Sequence, residues 1–167
     1  MSSQSPAIQD HYPQDFAHCY GCGRLNSNGL HVKSAWEGDE VVARFQPQPH
    51  HVAVPGFVYG GLLASLVDCH AMATAAAWAE REAGRPIGQG EVPRYVTASL
   101  SVDYVAPTPL GPELEIRARV RDFKKYRSIV EVSILVQGTK TVKGEVVAVR
   151  IPETMAGGAG TGTRPSP

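Results

Sequence analysis

Residues 55–78 read PGFVYGGLLASLVDCHAMATAAAW: a turn, a pair of glycines, then one long apolar run that carries a single carboxylate, Asp68. Between residues 62 and 77 the apolar side chains do not form one stripe. Leu62, Leu66, Ala73 and Ala77 fall on one side of a helical projection, and Leu63, Val67, Ala71 and Trp78 on others. A helix that is apolar all round belongs in a core. An ionised Asp in such a helix is costly unless a partner or a cleft reaches it, which makes Asp68 a candidate functional residue. Gly60 and Gly61 open the helix. Lacking side chains, they let another molecule approach the backbone, whose first-turn N–H groups have no intrahelical acceptor and sit at the positive end of the dipole. Such an end can hold a developing oxyanion.

The chain of 167 residues is 43% apolar, long enough for one domain to fold around its own core. Sixteen basic residues balance sixteen acidic ones, so no global field favours nucleic acid or an anionic membrane. The first residues, MSSQSPAIQDHYPQD, lack a basic start followed by an apolar run, and no uninterrupted apolar stretch reaches membrane-spanning length. These features predict a soluble, cytoplasmic protein without nucleic-acid or membrane partners. The cysteines are three, Cys19, Cys22 and Cys69, an odd number that argues against a disulfide framework.

Residues 1–16 are polar and contain prolines, and the sequence predicts a flexible segment. Next comes HCYGCGRLNSNGLHV. Cys19-x-x-Cys22 with His18 and His31 offers zinc ligands, but a structural zinc site draws on a second closely spaced pair, and this stretch has none. No metal or cofactor is expected. A redox role for the pair needs a strand-to-helix setting, whereas Gly21, Gly23, Asn26, Asn28 and Gly29 all mark turns, so a compact loop is the expectation. Residues 36–46 read as a first strand, followed by the Pro-rich QPQPHHVAVPG. The helix should end near Gly84. Residues 95–106, 114–123, 128–137 and 141–151 alternate and read as four successive strands, antiparallel to one another. After residue 151 the tail has almost nothing to bury and is expected to be disordered. The prediction is an α+β domain over residues 17–151, in which a curved antiparallel sheet wraps one long helix.

The order of elements, PGFVYGGLLASLVD, YVTASLSVDYVAP and CYGCGRLNSNGL resemble the hotdog-fold acyl-CoA thioesterases, in the branch similar to the phenylacetate-pathway enzymes. The family's His-Gly-Gly, with Asp seven residues after the second Gly, appears here as Tyr59-Gly60-Gly61 and Asp68. Tyr59 replaces the histidine, as a larger group with one hydroxyl to brace the helix start and narrow the mouth of the site. Ala53 stands where some relatives carry Asn. The resemblance implies hydrolysis of an acyl-CoA or other acyl thioester, with the Gly60 amide as oxyanion donor and coenzyme A entering as part of the substrate. It also implies Thr97, on the strand after the helix, near Asp68.

Gly60 and Asp68 are eight residues apart, about 12 Å along one helix axis, so one thioester carbonyl cannot touch both. A second, antiparallel copy of the helix would bring Gly60 of one protomer towards Asp68 of the other, and the resemblance implies the same homodimer, with a dimer of dimers as a further option. Asp68 would attack the carbonyl or take a proton from water, with Thr97 positioning the water or the carboxylate. His50 and His51 precede the Pro-Gly turn, and His51, Tyr59 and Gly61 are candidate substrate contacts. His70 lies about 200° around the helix from Asp68, so these two do not pair. Lys124, Lys125 and Arg127 read as a charged hairpin end, or as contacts for coenzyme A phosphates, where the resemblance places the nucleotide. Two other functions stand beside hydrolysis. A hotdog hydratase would need an Asp and a His spaced otherwise than in Asp68-Cys69-His70, and a non-catalytic acyl-CoA sensor or carrier would be consistent with Tyr59.

Overall fold

The apolar run forms one unbroken helix, α1 (Gly60–Glu82), in a computed structural model that describes residues 6–152. Tyr59, in extended backbone conformation, is its N-cap residue. At the other end the Gly84 N–H donates to the Arg81 carbonyl (3.0 Å) and the Arg85 N–H to the Glu80 carbonyl (2.9 Å). Gly84 takes φ +69°, the left-handed cap that a glycine adopts without strain. The stop falls where the sequence predicts it.

Among the described residues six strands surround the helix: β1 (Ser34–Glu37), β2 (Glu40–Phe45), β3 (Tyr95–Tyr104), β4 (Leu114–Lys124), β5 (Arg127–Val136) and β6 (Thr139–Arg150). They form one antiparallel sheet in the order β1-β2-β4-β5-β6-β3. The alternation read in the sequence becomes its inner face: Val41, Ala43, Ile116, Ala118, Val130, Val132, Ile134, Val142, Val146 and Ala148 are all buried. α1 presses against them with Leu66 and Val67 fully buried, and Leu66→Ala would cost about 2–5 kcal/mol in lost contacts and cavity. Gly144 lets the helix come this close, since a Cβ there would lie 2.5 Å from the Val67 side chain. By length and composition α1 could cross a membrane, but most of it is enclosed by the sheet, the position of a core helix. The fold is the expected hotdog arrangement, α+β with one helix wrapped by a curved sheet.

Two expectations are corrected. Residues 36–46 are not one strand. Gly38, at φ +63°, turns the chain between β1 and β2, pairing Glu37 with Glu40 and Trp36 with Val41. The N-terminal segment is not loose where it is described. Ile8–His11 and Gln14–Phe16 form short 3-10 helices, and Ile8 and Gln9 are fully buried where the first of these packs against α1 and β1. The tail beyond residue 152 lies outside the described residues.

Candidate active site

Asp68 lies about a third of the way along α1, half-exposed among buried neighbours. Its Oδ1 accepts a hydrogen bond from the Thr97 hydroxyl on β3. β3 is an edge strand paired only with β6, and its middle is exposed, so this pair opens to solvent although the helix carrying it is a core element.

The helix start is the second cluster. Among the described residues neither the Gly60 nor the Gly61 N–H has an acceptor; the first amides that do are those of Leu62 and Leu63, both bound to the Tyr59 carbonyl at 3.1 and 3.3 Å. The unpaired pair carries the positive end of the helix dipole. The start is braced by the Tyr59 N–H on the His51 carbonyl (2.9 Å) and by the Tyr104 hydroxyl on the Gly60 carbonyl (2.7 Å). Here the expectation for Tyr59 is corrected, since its side chain makes no cap hydrogen bond and its ring lies exposed over Gly61. The ring is free to fold there because Gly61 has no side chain. Tyr104 is the residue that sequence reading missed. It sits at the last position of β3, in a strand whose many exposed residues hide any inward face.

The remaining candidates separate. The His51 ring accepts the Gln48 N–H at Nδ1 (3.0 Å) and stacks on Phe45, so it serves its own turn while its backbone holds Tyr59. Burial, and then the charge of His50, push its pKa down. Lys124, Lys125 and Arg127 are exposed at the β4–β5 turn, with Lys124 3.8 Å from Asp122 and the Lys125 ammonium 5.1 Å from the Tyr126 ring. Thr97 registers with Ala148, and Ala148 with Ser128, so this turn flanks the Asp68 end of the protomer at two strand spacings, about 10 Å, rather than the Gly60 end. His70 points away from Asp68 as the helical angle requires. Its Nε2–H donates to the Val41 carbonyl (3.0 Å), and Nδ1 accepts from the Ser34 hydroxyl (2.8 Å), which itself accepts from the Gln9 amide (2.8 Å). Burial pushes its pKa down to about 4, so the ring is neutral.

A single protomer therefore holds a carboxylate with its hydroxyl partner and, about two helical turns away, a free amide pair. A family model described as Thioesterase superfamily matches residues 55–143, the span from the turn before α1 into β6. Among solved structures, a thioesterase superfamily protein from Shewanella loihica PV-4 is 39% identical over 83% of this chain and 97% of its own, with a TM-score of 0.63. The PaaI protein of the Escherichia coli phenylacetic acid degradation operon is 18% identical (74% and 81% covered, TM-score 0.59). The Streptococcus mutans UA159 protein smu.793, solved bound to acetyl-CoA, is 18% identical (77% and 92% covered, TM-score 0.57). No curated protein matches the chain.

Proposed function

The chain belongs to the thioesterase superfamily, and on that premise we propose that it hydrolyses an acyl-CoA or related acyl thioester to the free acid and thiol. The observation that carries the reading is the Thr97–Asp68 hydrogen bond, which fixes the carboxylate within the apolar run of a core helix at an open edge of the sheet. Thr97 engages Oδ1 and leaves Oδ2 to react. That oxygen attacks the thioester carbonyl or draws the proton from an attacking water. The tetrahedral oxyanion needs N–H donors about 3 Å away, and the Gly60 amide of the same chain is about 12 Å down the axis. A homodimer supplies it. Two antiparallel copies would each offer Asp68 to the partner's Gly60, giving two sites per dimer. β3 favours such pairing because its outer edge has no strand partner among the described residues and the strand exposes Val96, Leu100 and Tyr104, with Val105 exposed just beyond it. In this arrangement Lys124, Lys125 and Arg127 meet the coenzyme A phosphates, and Tyr59 and Gly61 flank the acyl group. An acyl-CoA ligand accords with the acetyl-CoA bound by the S. mutans neighbour.

The test is turnover of a panel of acyl-CoA thioesters with the free thiol detected. Hydrolysis of at least one member that disappears in Asp68→Asn supports the reading. Tight binding without turnover of any member would favour an acyl-CoA sensor instead.

A further inference from the structure

The loop that begins Cys19-Tyr-Gly-Cys22-Gly is closed on itself by backbone: the Gly23 N–H donates to the Cys19 carbonyl (2.8 Å), Leu25 to Ala17 (2.9 Å), Leu30 to Tyr20 (2.8 Å) and Val32 to Gly21 (3.0 Å). Its glycines are demanded by contact rather than by turn geometry. A Cβ on Gly21 would lie 2.1 Å from the Cys69 Sγ, and one on Gly23 would lie 2.5 Å from the Cys19 backbone nitrogen. The loop is thus pressed against α1 at the residue that follows Asp68. The three Sγ atoms of Cys19, Cys22 and Cys69 all lie within 4.8 Å of one another, and those of Cys19 and Cys69 are 3.7 Å apart. A disulfide would need about 2.05 Å. Sulfurs sharing a tetrahedral zinc at about 2.3 Å stand about 3.8 Å from each other. Two buried polar groups beside the cluster are also unsatisfied, the Tyr12 hydroxyl and the Arg94 Nη1. Both lie within electrostatic reach of Cys22 and Cys69, and the guanidinium stacks on the Tyr12 ring at 4.4 Å.

We propose that Cys19, Cys22 and Cys69 bind a thiophilic divalent cation, Zn2+, that clamps the N-terminal loop to α1. Three thiolates, a divalent ion and the Arg94 guanidinium sum to zero charge, which explains a largely buried arginine with a free donor. Three thiolates leave a fourth coordination position. Cys19, the half-exposed member of the three, gives water access to that position, and the Tyr12 hydroxyl and the Arg94 guanidinium are the free donors beside the cluster. The sequence does not show this site because the third ligand comes from the helix, 47 residues beyond Cys22. The inference is independent of the thioesterase reading.

The experiment uses the full chain, stripped with EDTA under a phosphine reductant and titrated with Co2+ and then Zn2+. Expected are one ion per chain, thiolate-to-cobalt charge-transfer absorption and a raised melting temperature. Cys22→Ser should weaken binding by about 100-fold or more, beyond what loss of an outer-shell partner costs. His18→Ala and His31→Ala should bind as the parent does. Should Cys22→Ser fail to fold by circular dichroism, Cys19→Ser at the half-exposed position gives the same readout. Absence of charge-transfer absorption, or uptake that survives the cysteine variants and falls with the histidine ones, overturns the proposal. So does a stripped, reduced protein that takes up no ion and on air exposure loses two hydrogens by mass to a disulfide.

Discussion

Thr97 and Tyr104 are seven residues apart on β3, yet both hydroxyls donate to α1, Thr97 to the Asp68 carboxylate and Tyr104 to the Gly60 carbonyl. An odd separation places two residues of a regular strand on opposite faces. The register shifts between Thr97 and Ser99, which pair with Ala148 and Val147, so Ala98 is an extra, unpaired residue. This bulge turns both side chains towards the helix. One irregularity therefore serves both halves of the proposed site.

Asp68→Asn keeps volume and removes the base or nucleophile, so kcat should fall about 100-fold or more with the fold intact. Thr97→Val removes one hydrogen bond to a charged group, worth about 1.5–3 kcal/mol, and should lower kcat about 10- to 100-fold. Thiol release from the best substrate measures both. An Asn variant as fast as the parent would remove Asp68 from the chemistry.

Gly60→Val should inactivate by crowding the helix start, since even a Cβ at Gly60 would lie 3.3 Å from the Tyr104 ring. Mixed with Asp68→Asn under conditions of subunit exchange, it should regain activity, because each heterodimer rebuilds one site from two wild-type halves. Exchange proven by mass with no recovered turnover would exclude the shared site.

The two tyrosines at the helix start should behave differently. Tyr104→Phe loses the bond to the Gly60 carbonyl and should cost about 1 kcal/mol of stability, with kcat/KM falling several-fold as the amide pair loosens. Tyr59→Phe should leave both stability and rate near the parent's, since its hydroxyl makes no cap hydrogen bond. Thermal melts beside kinetics distinguish these outcomes. A tenfold kinetic loss in Tyr59→Phe without a melting shift would instead place its hydroxyl on the substrate.

His70 predicts an acid-side loss of stability. Burial holds its folded pKa at about 4, below the 6.5 of an exposed histidine, so the unfolded chain binds a proton that the folded chain refuses. The stability is fully present above pH 6.5 and is lost as pH falls towards 4. Between about pH 7.5 and 4.5 the loss from this residue is roughly 2–3 kcal/mol. Urea midpoints at the two values, with EDTA present to remove any thiolate-bound metal, should show it, and His70→Gln should flatten the difference.

Much of this protein is local information. An apolar run longer than any strand, opened by two glycines and closed by Gly84, can only be a buried helix, and four alternating stretches can only be strands of a sheet that covers it. The sequence by itself therefore determined α1, β3 to β6, an α+β domain with one helix wrapped by a curved sheet, and Asp68 as the carboxylate that needs an explanation. It determined His70's separation from Asp68 too, since helical angle is fixed by spacing. Tertiary structure decided what depends on contacts between residues far apart in the chain. The turn at Gly38 splits an apparently single strand, because only pairing tells a two-residue hairpin from a glycine inside a strand. Ile8 and Gln9 become core because their short helix packs against α1 and β1. Tyr104, not Tyr59, holds Gly60, because the extra residue at Ala98 reverses the facing of everything after it, and a bulge leaves no mark in a pattern of exposed residues. Cys69 joins Cys19 and Cys22 for the same reason: a helix and a loop meet only when the sheet has closed around both.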